Sequence, residues 1–152
     1  MRLIVISFAA TALLVGTAHA AGPVEKTALA CIAKAEHEGV SGLKCFGVVY
    51  ADCMKSANAD DAACGARELA FWQSEHDKAW KNAKPGIDGY AEMKPDQMAA
   101  EKTFNDYRQK SCAIADKVDP GTMPGRSGLC RAEITAQRAL MLRKIAYSLG
   151  EH

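Results

Sequence analysis

The stretch that most constrains this chain is residues 104–140, FNDYRQKSCAIADKVDPGTMPGRSGLCRAEITAQRAL. It reads as two amphipathic helices joined by a Pro/Gly loop, with Cys112 on one flank and Cys130 on the other. Upstream, Phe104, Tyr107, Ser111, Ile114 and Val118 recur at spacings of three and four, which predicts a helix face turned inward. Downstream, Cys130, Ile134, Met141, Ile145 and Leu149 predict a second such face. Asp119-Pro120-Gly121 ends the first helix, since Pro cannot continue it and Gly accepts the turn. Ser127 is placed to cap the second, its hydroxyl accepting from an otherwise orphan N–H. A Cys112–Cys130 disulfide staples the pair across the loop.

Residues 1–20, MRLIVISFAATALLVGTAHA, have the layout of a signal peptide: a positive start at Arg2, an apolar run from Leu3 to Val15, and Ala18-His19-Ala20 as the cleavage site. The run is short for a bilayer span, which needs about 20 apolar residues. No cysteine sits immediately after the cleavage site, the first being Cys31, so no lipid attachment is expected there. The expected product is one domain over residues 21–152, periplasmic or secreted, with no stable membrane insertion. Lys and Arg total 19 against 18 Asp and Glu, and removal of Arg2 leaves the two balanced. That balance gives no electrostatic case for nucleic acid.

All six cysteines lie beyond the leader, which suits up to three disulfides in an oxidising compartment. There is no C-x-x-C and no Cys–His pair at finger-like spacing, so no metal site or cofactor is expected. Cys53 and Cys64 flank a polar turn, which favours joining them and leaves Cys31 for Cys45. A hairpin turning near Val40 equally allows Cys31–Cys53 with Cys45–Cys64. Spacing does not choose between these.

Taken in order, Val24–Glu38 is a predicted helix stopped by Gly39, and Ser41 caps a second with Leu43, Phe46, Tyr50 and Cys53 inward. The polar turn 58–61 starts a third helix, with Leu69, Trp72, His76 and Ala79 on one face, ending near Ala83. Lys84-Pro85-Gly86-Ile87-Asp88-Gly89 is expected to break the chain. Pro95 suits the first turn of a fourth helix running to about Val118, and a fifth spans Gly128 to Leu149. No alternating strand pattern, internal repeat or linker interrupts this. The fold class expected is a small all-α bundle of about five helices.

Catalytic signatures are absent: no H-E-x-x-H, G-x-S-x-G, phosphate loop or dinucleotide fingerprint occurs. His37 sits near a helix C-terminus, where its positive form suits the dipole. His76 falls on an apolar stripe and reads as a buried, hydrogen-bonded histidine. Oxidised cysteines offer no thiolate nucleophile. A binding protein is expected, not an enzyme; a hydrolase would need a cleft gathering carboxylates with His76. Trp72, Trp80, Phe104 and Tyr107 read as the core where the third and fourth helices pack. The Gly/Pro stretches 84–94 and 119–128 are candidate recognition loops, with Arg126, Ser127 and Lys94 as candidate partner contacts.

Cys53 and Cys64 with ten residues between them, followed by Glu68, Trp72 and Trp80, resemble the N-terminal half of the LprI-type lysozyme-inhibitor domain. Tyr107-Arg108 ahead of Cys112 resembles its aromatic–Arg–Cys segment. Residues 125–128 resemble its glycine-rich loop, and Cys130 with Ile134-Thr135-Ala136 and Arg138 its closing segment. The resemblance runs from Cys31 to Leu142. Glu101 and Phe104 depart from it, standing where a Gln and a Trp are usual, and Gln109 replaces an acidic residue. It implies a lysozyme inhibitor that protects cell-wall peptidoglycan, with a lysozyme or another envelope protein as partner. The alternative is a periplasmic immunity or structural envelope protein with a different partner. Arg108 and Arg138 are expected to bridge helices or satisfy exposed carbonyls.

Overall fold

The computed structural model describes residues 22–118 and 126–150. The expected leader, most of the predicted 119–128 loop with its Asp119-Pro120-Gly121 stop, and His152 lie outside them. Among the described residues the chain is all-α, without a strand: α1 Pro23–His37, α2 Val48–Cys53, α3 Asp61–Gly89, α4 Met93–Val118 and α5 Arg126–Gly150, with a 3-10 turn at Gly42–Cys45 between α1 and α2.

Helix α1 starts with Pro in its first turn, where the missing N–H has no partner to lose, and buries Ala28, Ile32 and Ala35. Its end is a complete Schellman closure. Gly39 takes φ +67°, its N–H donates to Glu36 O (3.1 Å), and the Val40 N–H donates to Ala35 O (2.9 Å). Ser41 then caps the 3-10 turn, its Oγ accepting from Leu43 N at 3.2 Å.

Here the structure departs from a single second helix. Gly47, at φ +86°, reverses the chain and leaves only the six-residue α2. The reversal also re-aims the segment: Cys45 and Val49 are buried, while the predicted inward residues Leu43, Phe46, Tyr50 and Cys53 are only partly so.

Helix α3 is capped by Asp60, whose Oδ2 accepts from Ala63 N (3.1 Å), and runs 29 residues. It passes through Pro85 instead of breaking near Ala83. Pro85 forfeits one backbone hydrogen bond, but the extra turn buries Ile87 and lays Gly86 against α5, where an added Cβ would stand 2.7 Å from the Leu149 Cβ. Lys84 and Asp88 pair along the same turn.

Helices α3 and α5 form the main packed pair. Helix α5 approaches through small residues: Ala132, Ala136 and Ala139 are fully buried, and a Cβ on Gly128 would meet the Gly65 carbonyl carbon at 3.0 Å. These alanines, with Ala28, Ile32, Cys45, Val49, Phe71 and Trp72, make the core. The predicted inward face of α5 is therefore rotated, and Met141 is exposed. The cysteines pair Cys31–Cys45, Cys53–Cys64 and Cys112–Cys130, with Cα–Cα distances of 5.8, 5.5 and 5.6 Å, well inside disulfide range.

Helix α4 is the outlier. Cys112 is its one fully buried side chain among the described residues. Tyr107 and Ile114, predicted to face inward, are 59% and 62% exposed. The face turned to the body carries Gln97, Glu101, Phe104, Arg108, Ser111 and Cys112 instead. The core thus lies between α1, α2, α3 and α5; the predicted Phe104–Tyr107 contribution to a core between α3 and α4 is replaced by polar contacts.

Candidate functional site

Glu68 is the most enclosed charged residue of the described chain, with no exposed surface. Its Oε1 accepts from Gly47 N (2.8 Å) and Trp72 Nε1 (2.7 Å), and its Oε2 accepts from Tyr50 N (2.7 Å). Helix α2 has no side-chain cap of its own, so a carboxylate from α3 fills that role at its positive N-terminal end. Trp72, one turn along α3, is itself fully buried. Tyr50 continues the link through its hydroxyl, which donates to Asp61 and is thereby held above its ordinary pKa. This assembly positions the Cys53–Cys64 turn; it is enclosed and offers a ligand no approach.

A second polar cluster joins α3, α4 and α5. Arg138 Nε donates to Glu101 Oε1 at 2.7 Å, while His76 Nε2 stands 3.2 Å from Glu101 Oε2, at ion-pair distance but off hydrogen-bond geometry. His76 Nδ1 lies 3.2 Å from Asp77. The Phe104 ring stacks on His76 (centroids 5.3 Å apart), and the Arg108 guanidinium lies over the Phe104 ring, 5.2 Å from its centroid. Arg108 donates to Gln73 on α3 (2.8 Å) and to Thr135 on α5 (3.1 Å), and Thr135, fully buried, donates to Arg131 O. Arg108 and Arg138 therefore bridge helices.

The Glu101 carboxylate raises the His76 pKa above its ordinary 6.5; burial opposes this, and Asp77 adds to it. Burial pushes the Glu101 carboxyl up, but His76 and Arg138 outweigh it and hold the pKa below 4.5. The folded chain thus binds the His76 proton more tightly than the unfolded one. That stabilisation is complete below pH 6.5 and is lost as pH rises through the raised value. The Glu101 contribution is complete above pH 4.5 and is lost as pH falls through the lowered value. Thermal melts from roughly pH 3 to 9 are expected to plateau between those limits and fall on both sides. His76→Gln should flatten the alkaline limb; an unchanged limb assigns that fall to another group.

A third network ties α1 to α5. Arg143 Nε and an Nη donate to the two Glu36 oxygens at 2.6 and 2.8 Å, lowering the Glu36 pKa and raising that of Arg143. Arg143 also lies 3.6 Å from the buried Glu75, which receives Lys78 at 2.6 Å. Around this network opens a groove of about 1160 Å³ between the 36–43 segment, α3 and the last turns of α5, with Val40, Lys144 and Tyr147 on its walls. A shallower trough of about 560 Å³ runs between α4 and α5, lined by Ala99, Ala100, Thr103, Tyr107, Ile134 and Met141.

The predicted contact residues fare unevenly. Lys94 is not in a loop: it lies in the first turn of α4 and pairs with Asp88 at 3.3 Å. Arg126 and Ser127 form the start of α5, so Ser127 follows the helix start instead of preceding it as a cap; their side chains lie outside the described residues. Glu68, Trp72, Arg108, Thr135 and Arg138 all take part in the buried polar contacts above, and Tyr107 stands apart on the surface. The Glu36–Arg143 link escaped the sequence because its partners lie 107 residues apart. The Glu68 role left a faint sign, an acid one turn before a tryptophan on an apolar stripe. Among the described residues no group of three or more His, Cys, Asp or Glu is placed to hold a metal, and no helix is long and apolar enough to cross a membrane.

A family model described as lysozyme inhibitor LprI matches residues 51–142, from α2 through most of α5. It omits α1 and the 3-10 turn, a narrower span than the resemblance beginning at Cys31. No curated protein and no solved structure matches the chain.

Proposed function

The chain belongs to the LprI lysozyme-inhibitor family, and on that premise we propose that it is an exported protein that binds a lysozyme and shields cell-wall peptidoglycan. The match over residues 51–142 carries the reading. The three disulfides support it, because such bonds persist outside the reducing cytoplasm. Residues 1–20 serve in this reading as the cleaved leader, and residues 21–152 as one binding domain. An inhibitor of this kind performs no chemistry. It presents a rigid surface that keeps the polysaccharide from the catalytic carboxylates, with Arg126 at the head of α5 as one proposed contact.

The groove around Arg143 favours a second reading. Most of its walls, the 36–43 segment and residues 143–148, fall outside the family match. A different envelope protein seated there makes this an immunity or structural protein without lysozyme inhibition.

The deciding experiment is a cell-wall turbidity assay with oxidised protein lacking residues 1–20 against c-, g- and i-type lysozymes. Saturable inhibition near one-to-one is expected for at least one type, and Arg126→Ala is expected to weaken it. Absence of effect on all three moves the function to the second reading.

A further inference from the structure

Helix α4 is amphipathic in the reverse sense. Its body-facing side is charged, with Glu101 and Arg108 in the cluster described above, while Tyr107 and Ile114 point to solvent. Tyr107, Lys110, Ile114 and Lys117 follow one another at steps of three, four and three, which places them on a single stripe, and all four are exposed. The stripe spans roughly 15 Å at 1.5 Å per residue, the length of a few linked sugar rings. Beside Tyr107 the apolar surface continues into the trough formed with Ile134 and Met141.

We propose that this stripe of α4 is the surface that closes the lysozyme cleft, lying across its mouth with Lys110 directed at the catalytic carboxylates and Tyr107 and Ile114 on the sugar-binding walls. The inference rests on the lysozyme-inhibitor reading and specifies which element acts. Three observations favour it. The stripe lies wholly inside residues 51–142, the part of the chain that the family shares. Its chemistry complements a glycosidase cleft, which carries a pair of carboxylates between its subsites: a central cation flanked by an aromatic and a branched aliphatic side chain matches both features, in the manner of a helix laid on a groove. In the rival groove, by contrast, two of the three Lys and Arg side chains, Arg143 and Lys78, are already held by Glu36 and Glu75.

The test uses the oxidised protein without residues 1–20 and a lysozyme that it inhibits. Lys110→Glu and Tyr107→Ala are each expected to weaken inhibition roughly tenfold or more, as for central contacts of an interface, with the Tm unchanged because both side chains are exposed. Lys144→Glu, in the other groove, is expected to inhibit as the parent does. Chitotriose occupying the cleft should compete with the parent protein. If the parent inhibits and both α4 variants match it, or if chitotriose does not compete, the placement on α4 is overturned while the inhibitor reading stands. A dimer in sedimentation that Tyr107→Ala dissolves likewise overturns it. Failure of the parent protein to inhibit any c-, g- or i-type lysozyme overturns both.

Discussion

Glu68→Ala is expected to lower stability by about 4 kcal/mol, enough to unfold much of a marginally stable population. The change removes both acceptor oxygens at once, leaving the Gly47 and Tyr50 amides and the Trp72 indole without their partner in a site closed to water. Each hydrogen bond to a charged acceptor contributes about 1.5–3 kcal/mol, and stranded buried donors add a desolvation cost. Glu68→Gln is the informative companion. Its amide oxygen still serves one side, but its NH2 meets an N–H on the other, so about half the loss is expected. Urea melts of the three proteins check the series. Equal stability of Glu68→Ala and parent would show that α2 holds its position through Cys53–Cys64 and Val49 alone.

The second large effect is expected from opening Cys112–Cys130 with paired alanines. The cysteines are 18 residues apart, and freeing a loop of that size costs about 3 kcal/mol, a Tm fall on the order of 10 °C. The loss should concentrate in one helix. Among the described residues helix α4 has little buried apolar surface; the Glu101 and Arg108 contacts, the Phe104–His76 stack, the Lys94–Asp88 pair and this bond hold it. Hydrogen exchange is therefore expected to quicken along 93–118 before it does in α3. Uniform quickening would mean that α4 and the core open together.

The helical architecture was readable because its punctuation is local. Gly39 stops α1 and Ser41 starts the next turn through hydrogen bonds made within a few residues. Pro85 misled because a proline removes one bond, a loss that the distant packing of Ile87 and of Gly86 against Leu149 outweighs. Tyr107 and Ile114 misled for a related reason. Periodicity shows that residues share a face but not which way the face points, and α4 turns its apolar side outward while Glu101 and Arg108 find partners on α3 and α5. Of the contact residues, Lys94 looked free only until its pairing with Asp88, which depends on how the α3–α4 junction folds.

The order of the disulfides bears on how such a chain matures. The six cysteines pair first with second, third with fourth, fifth with sixth, at separations of 14, 11 and 18 residues. Each bond closes between neighbouring elements, so in a chain exported from its N-terminus, as proposed above, the two thiols of each pair would emerge and meet before the next pair arrives. Vectorial oxidation by a simple thiol oxidant leads to this pattern without a shuffling step, whereas an interleaved set would require bonds to form, break and re-form.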